Sequence, residues 1–448
     1  MENYIEINSK KIVYKSGYIK TSNLQILYAD YIASGRPSPL IEKYLETYIY
    51  PYYSNTNSNA NNGIFMKDLI KKVKYEMRNE YNLSSEYKII FTGTGTTGAI
   101  NHLINCIDYS FYNNVYIFLS NYEHYSNHLP WIELKNSNKN IKIKIIPFNE
   151  YELIDLEWFE NNIQEIYNNS DKILIITSII NCSNVNGLFL PTKKIKNILD
   201  KYQKGNIKKY FFSDYACSAP YIKIDGSCYD AFFYSPHKFI GGTSTPGVLI
   251  AKNELFTKNK PFCPGGGCLI KVLNEKIIYN NDIEKKEMAG TPNIIGIIRI
   301  GKIIALKKYF QDIITNNEHI LSKIIKKLII YLKKKYTSFN TILYDDDEEH
   351  LPILSFYLSN LHYNFIVKLL NDLYGIQSRG GISCAGLLAD YIKEKYNVDG
   401  WVRLSFHWIM SRKDVFYIIK SLIYIIENGH NHLKDYIYDD TQNLFYKI

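Results

Sequence analysis

The sequence predicts an α/β fold in which a large domain, built on a mainly parallel seven-stranded sheet, is followed by a smaller α+β domain. Apolar runs typical of buried strands alternate with segments whose apolar residues recur at helical spacing, an order that favours a parallel sheet covered by helices on both faces. After AGTPN, Ala289 to Asn293, this alternation stops. At 448 residues the chain is long enough for roughly two or three domains.

The strands predicted for the large domain are short segments rich in Ile, Val, Phe and Tyr. They are KIIFTG, VYIFLS, IKIKIIPF, KILIITSII, YFFSD, AFFYS and GVLIA. Segments with helical spacing lie between them, such as FMKDLIKKVKYEMRNEY and LPTKKIKNILDKY.

The segment IIGIIRIGKIIALKKYF predicts a long helix that leaves the large domain. Beyond it follow an acidic loop, DDDEE, the strand LPILSFYL, the helix YNFIVKLLNDLYG, the strand GWVRLSFH and the helix KDVFYIIKSLIYII. We therefore expect an N-terminal segment, residues 1–25, that packs on the small domain, a large domain over residues 26–300, and a small α+β domain over residues 301–448.

Composition disfavours several classes of protein. The 53 Lys and Arg residues exceed the 44 Asp and Glu residues, but they are scattered along the chain, which indicates a solvated surface and no nucleic-acid partner. The seven cysteines are dispersed without a CxxC pair, so neither a disulfide framework nor a metal site is expected, and a reducing, cytoplasmic compartment fits best. No apolar run has the length of a membrane span, so we expect no membrane association.

The segment SPHKFIGG places Lys238 just after the apolar run AFFY, at a strand end, where α/β sheets collect their ligands. Asp214 ends the strand of YFFSD. In FTGTGTTGAIN a glycine-rich turn opens a helix, whose free backbone amides suit a phosphate. The turn lacks the lysine of a Walker loop, so a nucleoside triphosphate fits less well.

These groups are those that pyridoxal 5'-phosphate requires. Lys238 would bind its aldehyde and Asp214 its ring nitrogen, while the threonines Thr96 and Thr97 would contact its phosphate. From the lysine strand, Ser235 and His237 would join them. Taken singly, each feature has an ordinary alternative: a solvated lysine, an aspartate that caps a turn, or a helix start that serves only for capping.

Ten motifs in order resemble the class V aminotransferase family and, within it, the cysteine desulfurase and selenocysteine lyase group. They are YADYIASGRP, GTGTTGAIN, NYEHYSNHLPW, SNVNG, FFSDYACSAP, YSPHKFIGG, PGGG, AGTPN, RGGISCAG and WVRLSFHW, and they run from about Tyr28 to Phe406. The resemblance implies fold type I of the pyridoxal-phosphate-dependent transferases, and a homodimer whose two active sites lie at the subunit boundary.

The resemblance also implies roles for single residues around the cofactor. His124 would stack on the ring and relay protons, and its neighbours Glu123 and Asn127 match the family motif as well. Asn184 would lie near the ring hydroxyl and the substrate carboxylate. Cys217 stands where the family's desulfurases usually carry a glutamine that contacts the ring hydroxyl.

For the substrate and the second subunit the resemblance implies four more residues. Thr291 would reach the phosphate of the neighbouring subunit. Arg403 would bind the α-carboxylate of an amino acid substrate, for which its planar guanidinium is suited, and Arg379 is a second candidate. Cys384, five residues after Arg379, would accept sulfur from cysteine, leaving alanine and a persulfide, with a sulfur-acceptor protein as a further partner.

Departures from the family pattern keep alternatives open. Ile382 and Ser383 replace two histidines before the nucleophile, and Asn57 and Ser58 stand where the early loop is expected to carry histidine and arginine. These positions concern the substrate more than the cofactor. A class V aminotransferase, a lyase or an epimerase acting on another amino acid is therefore an alternative, as is a pyridoxal-phosphate-binding scaffold without turnover. Cys384 itself could be a small packed cysteine.

Overall fold

The computed structural model describes residues 3–7, 10–14, 20, 21, 24–168, 171–345 and 347–448. The chain divides into two compact units. The sheet unit comprises Gly35–Cys182 and Leu190–Gln311, and the C-terminal unit comprises Met1–Ser34, Ser183–Phe189 and Asp312–Ile448. The predicted packing of residues 1–25 concerns side chains outside the described part, and the predicted domain boundaries stay a prediction.

The α-helices of the described residues, in chain order, are α1 (Pro39–Tyr48), α2 (Asn61–Glu80), α3 (Gly95–Cys106), α4 (Tyr125–Ser137), α5 (Leu156–Tyr167), α6 (Thr192–Lys201), α7 (Ile283–Glu287), α8 (Ile294–Lys335), α9 (Tyr363–Tyr374), α10 (Gly386–Tyr396) and α11 (Arg412–Asn428). The strands are β1 (Asn3–Ile7), β2 (Lys10–Tyr14), β3 (Lys20–Thr21), β4 (Leu24–Gln25), β5 (Leu27–Tyr28), β6 (Tyr87–Thr92), β7 (Asn114–Ser120), β8 (Ile141–Ile146), β9 (Ile173–Ile180), β10 (Ile207–Asp214), β11 (Ala231–Tyr234), β12 (Gly247–Lys252), β13 (Leu269–Leu273), β14 (Lys276–Tyr279), β15 (Phe339–Thr341), β16 (Ile353–Leu358), β17 (Ile376–Gln377), β18 (Arg379–Gly381), β19 (Trp401–Ser405), β20 (Tyr436–Asp439) and β21 (Leu444–Lys447).

The sheet unit is built on a seven-stranded sheet in the order β6-β12-β11-β10-β9-β7-β8. Only β12 runs antiparallel to its neighbours, and the predicted mainly parallel sheet is confirmed. Its strands are the seven predicted from the sequence. All eight residues of β9 are buried, as expected for a central parallel strand that is covered on both faces.

Helices α3 and α4 cover one face of this sheet. The apolar side chains of α3, among them Ala99 and Leu103, pack in one core with Ile117 of β7 and Phe233 of β11, and Trp131 of α4 joins them. Because the parallel strands end at the same edge, the loops that follow them bring their polar residues to one side of the sheet. Those loops begin after Thr92, Ser120, Ile180, Asp214 and Tyr234.

The C-terminal unit contains a four-stranded antiparallel sheet in the order β15-β16-β19-β18. Residues of α9 and α11, such as Leu369 and Leu422, share a core with Leu354 and Leu404 of the sheet, and the predicted α+β class is confirmed. Helix α8 continues well past the predicted end at Phe310. Its second half contains no glycine or proline and buries an apolar face in this unit, which explains the extension.

Candidate active site

The predicted site residues fall into one group in each unit. In the sheet unit, Asp214 is the last residue of β10, and Lys238 ends a short 3-10 turn directly after the neighbouring strand β11. Asp214 is only 1% exposed. Burial raises the pKa of the Asp214 carboxyl to about 6, while a backbone hydrogen bond from Ala216 and the positive charge of Lys238 act in the opposite direction. The lysine and the carboxylate are therefore close enough to interact.

The two oxygens of the Asp214 carboxylate differ in their surroundings. Oδ1 accepts a hydrogen bond of 2.8 Å from the backbone N–H of Ala216, whereas Oδ2 is buried without a partner among the described residues. A buried carboxylate oxygen that lacks a donor is costly. A protonated ring nitrogen would supply both the missing donor and a compensating charge, so the site fits the ring of pyridoxal phosphate.

The threonine-rich turn contacts the loop that carries the lysine. The backbone N–H of Thr96 donates to Ser235 Oγ at 2.8 Å, and the two side-chain hydroxyls lie 2.9 Å apart. Gly95 has a φ of +54°, and a Cβ there would lie 2.6 Å from Ser235 Oγ and 2.9 Å from His237 Cε1. Glycine thus permits both the turn and this close approach. The start of α3 and Ser235 together form a cradle suited to a phosphate.

His124 is the N-cap of α4 and is linked to the same turn. Its Nδ1 accepts from the backbone N–H of Ser126 at 3.1 Å and lies 3.0 Å from Ser126 Oγ. Ser126 Oγ in turn lies 2.6 Å from Thr97 Oγ1. Because Nδ1 is an acceptor, the neutral imidazole carries its proton on Nε2. His237 is neutral near pH 7, since burial, assisted by the charge of Lys238, lowers its pKa to about 4.

A buried polar network next to His124 was not predicted from the sequence. Both carboxylate oxygens of Glu123 lie 3.0 Å from the backbone N–H of Ile180, and the carboxylate also accepts from Ser120 Oγ and Asn127 Nδ2, each at 2.6 Å. Burial raises the pKa of Glu123 to about 8, and the Asp214 carboxylate adds to the effect. Trp131 Nε1 donates to Asn127 Oδ1 at 3.2 Å. The network ties the loop of His124 to the end of β9.

Two predicted cofactor residues have less direct support. Cys217 is buried in the loop after Asp214, and its predicted contact with the cofactor stays a prediction. Thr291 is exposed, and its hydroxyl accepts a hydrogen bond of 3.0 Å from Asn55 Nδ2. Its predicted reach to a neighbouring subunit stays a prediction.

The residues predicted to bind the substrate lie in the C-terminal unit. Arg403, on β19, is 2% exposed. It donates from Nη1 to the backbone oxygen of Asn184 at 2.9 Å and from Nη2 to Asp30 Oδ1 at 2.9 Å. Arg379 stands opposite Arg403 in the register of β18 and β19, and its Nε donates to Asp30 Oδ2 at 3.1 Å. Asp30 therefore joins the two arginines. This link was not predicted from the sequence, although Asp30 stands in the motif YADYIASGRP.

Cys384 is exposed on an unusual turn of the same unit. Ser383 and Cys384 both have left-handed backbone conformations, with φ of 54° and 56°, and Gly381 has a φ of 106°. Non-glycine residues rarely adopt such values, and they persist where the surrounding structure enforces them. Asn184 Nδ2 donates to the backbone oxygen of Ser383 at 2.8 Å. Asn184 thus contacts both Arg403 and the turn that presents the thiol.

The described part of the chain also contains one cluster of metal-ligand types away from the predicted residues. The ligand atoms of His102, Cys106 and Glu287 lie within 4.8 Å of one another and are buried. Glu287 Oε2 lies 3.1 Å from His102 Nε2 and 3.4 Å from Cys106 Sγ, so hydrogen bonds account for the arrangement. We assign this cluster to the packing of α7 on α3.

Comparison with known proteins places these observations in a family. The family described as Aminotransferase class-V matches residues 27–418. A protein of Borreliella burgdorferi named "Probable cysteine desulfurase" is 32% identical over 424 residues, which cover 91% of this chain and 93% of the relative. A protein of Wigglesworthia glossinidia brevipalpis named "Cysteine desulfurase" is 30% identical over 413 residues, which cover 90% and 93% of the two chains.

Solved structures agree on the fold. A cysteine desulfurase from Thermococcus onnurineus, solved in its apo form, superimposes with a TM-score of 0.76 at 22% identity and covers 90% of this chain and 95% of its own. The cysteine desulfurase CsdA of Escherichia coli gives a TM-score of 0.71 at 21% identity, with 89% and 94% covered. The predicted fold of the pyridoxal-phosphate-dependent transferases is confirmed. Among the helices of the described residues, none is both long and apolar enough to cross a membrane.

Proposed function

Because the chain belongs to the class V aminotransferase family, whose members depend on pyridoxal phosphate, we propose that it removes the sulfur atom of L-cysteine and accepts it on Cys384. The observation that carries the proposal is the exposed thiol of Cys384 on a turn with two left-handed residues, which Asn184 ties to the buried Arg403. A thiol held in a strained, accessible turn suits a nucleophile better than a packing residue.

The residues of the sheet unit would hold the cofactor. Lys238 would bind its aldehyde, Asp214 Oδ2 would accept from its ring nitrogen, and the start of α3 with Thr96 and Ser235 would contact its phosphate. Bound pyridoxal phosphate supplies an electron sink for the substrate's α carbon. His124, with its proton on Nε2, would stack on the ring and could donate or receive a proton there.

In the proposed reaction Arg403 and Arg379 bind the substrate's α-carboxylate. The thiolate of Cys384 attacks the sulfur of cysteine, so that a sulfur–sulfur bond forms and the carbon–sulfur bond breaks. The electron pair of the broken bond stays with the former Cβ, which takes up a proton and becomes the methyl group of alanine. The products are alanine and the persulfide of Cys384, and a thiol of an acceptor protein would then take the sulfur.

A homodimer is part of this proposal. The hairpin of β13 and β14 exposes its apolar side chains, and Ile270 and Val272 are each 56% exposed. An exposed apolar ribbon of this kind marks a protein interaction surface. The hairpin is followed, after the short helix α7, by the segment of Thr291, the residue predicted to reach a second subunit. We also propose a cytoplasmic location, which the absence of disulfides among the described cysteines supports.

The test compares Cys384→Ser with Cys228→Ser, a matched change at another exposed cysteine. With L-cysteine as substrate and dithiothreitol as sulfur acceptor, Cys228→Ser is expected to release sulfide and alanine at the wild-type rate. Cys384→Ser is expected to lose at least about 100-fold in both products, because no nucleophile reaches the sulfur. If Cys384→Ser retains the wild-type rate, the thiol is structural and a lyase becomes the better description.

A further inference from the structure

Asp30 lies at the centre of a polar cluster of the C-terminal unit, which also contains Arg403, Arg379 and Asn184. Its backbone forms a parallel bridge with Ser405, and the N–H of Ser405 donates to the carbonyl of Ala29 at 2.7 Å. These contacts fix Asp30 beside β19, the strand of Arg403. Its carboxylate is shared: Oδ1 accepts from Arg403 and Oδ2 from Arg379. One aspartate thus holds two arginines that come from adjacent strands.

The buried polar atoms of this region that have no hydrogen-bond partner within the described chain include Arg403 Nε and Asn184 Oδ1. Each terminal nitrogen of Arg403 carries two N–H groups, and the hydrogen bonds to Asn184 and Asp30 use one of each. A buried guanidinium with an unused Nε–H lacks an acceptor. A carboxylate oxygen of a bound ligand would supply it.

The charges lead to the same conclusion. Arg403 and Arg379 carry two positive charges and Asp30 carries one negative charge, so the cluster retains one positive charge. Arg403 is 2% exposed, whereas the side chain of Arg379 is 42% exposed, and the cluster therefore reaches from the interior to the surface. One residual charge and an unused Nε–H match a single carboxylate.

We propose that Asp30 is a positioning residue for the α-carboxylate of the substrate: it holds Arg403 and Arg379 as one unit and leaves one positive charge for one carboxylate. The inference rests on the proposed function, because it assumes an amino acid substrate. Asp30 acts through the arginines, since its own negative charge would repel the ligand. Removal of Asp30 should therefore weaken binding of carboxylate ligands and leave other amines unaffected.

The experiment uses the protein with its bound cofactor and two ligands that differ by one carboxylate, L-alanine and ethylamine. Dissociation constants are measured from the change in the absorbance of the cofactor. We expect the wild type to bind L-alanine more tightly than ethylamine. In Asp30→Asn, the dissociation constant of L-alanine should rise about tenfold or more while that of ethylamine stays unchanged. A variant in which neither constant changes, or in which both rise equally, would overturn the proposal.

Arg379→Gln provides a second test in case Asp30→Asn does not retain the cofactor. The side chain of Arg379 is partly accessible, so this change should preserve the fold while it removes one partner of Asp30. We expect Arg379→Gln to bind L-alanine more weakly while its affinity for ethylamine stays unchanged. Arg412→Gln, a matched change at another exposed arginine, should affect neither ligand. An unchanged affinity of Arg379→Gln for L-alanine would contradict the proposal that Asp30 holds the two arginines as one unit. A wild type that does not prefer L-alanine to ethylamine would instead refute the proposed function.

Discussion

Asp214 shows at the residue scale how the chain is prepared for a cofactor. The carboxylate is buried, and one of its oxygens has no donor in the described part of the chain. Burial raises its pKa from 3.8 to about 6, and this shift lowers the free energy of unfolding by about 3 kcal/mol near neutral pH. A cationic ring nitrogen would offset this cost. The site is therefore less stable without its ligand than with it.

This pKa predicts how the stability of cofactor-free protein depends on pH. Between pH 3.8 and about 6 the folded state binds the proton of Asp214 more tightly than the unfolded state, so stability falls as the pH rises through this range and stays low above it. Asp214→Asn should not lose stability in this way, because asparagine does not ionise. Relative to the variant, the wild type should lose about 2 kcal/mol between pH 4 and pH 7, measured by urea unfolding. Parallel pH profiles for the two proteins would contradict the assignment.

The residues that sequence analysis identified are those that stand in local motifs. Asp214 ends a strand and Lys238 and His124 follow one, each within a recognisable segment, and the structure places all three at strand ends of the large sheet. The role of Asp30 was missed because it depends on a distant partner, and the contact of Glu123 with Ile180 was missed for the same reason. Asp30 meets Arg403 across 373 positions of sequence, and a single sequence contains no signal for such a contact.

At the scale of elements, the seven strands of the large sheet were predictable because six contain a continuous apolar run and the seventh, IKIKII of β8, alternates isoleucine with lysine. The hairpin of β13 and β14 was missed, and the structure shows that its apolar side chains are exposed rather than packed in a core. The second half of α8 was missed because lysines interrupt its apolar pattern, although that face is buried. Tertiary contacts, rather than the local sequence pattern, determine whether such segments form a helix or a strand.

The turn of Cys384 gives a prediction at the same scale. Gly381 has a φ of 106°, and a Cβ added there would meet open space, so Gly381→Ala would be strained by backbone conformation alone. We expect a loss of about 1–3 kcal/mol in the free energy of unfolding and slower sulfur transfer to Cys384. Gly205→Ala, a change in equally open space without a positive φ, should leave both unchanged. Equal effects of the two variants would show that the turn is not strained.

The proposed dimer gives a prediction at the scale of the whole molecule. The double variant Ile270→Lys, Val272→Lys would place charge on the exposed hairpin. Its dimer should dissociate at micromolar concentration, as measured by analytical ultracentrifugation. Ile330→Lys, at a similarly exposed position of α8, should leave the dimer intact. A wild type that is monomeric, or a double variant that remains a dimer, would contradict the proposed interface.

The central claim is that pyridoxal phosphate binds covalently at Lys238, and peptide mapping after borohydride reduction tests it most directly. Reduction fixes the cofactor to its lysine, and mass spectrometry of the digested protein identifies the peptide that carries it. We predict one modified peptide, SPHKFIGG with its flanking residues, labelled at Lys238. A cofactor found on another lysine, or purified protein that takes up no cofactor when it is supplied, would contradict the account.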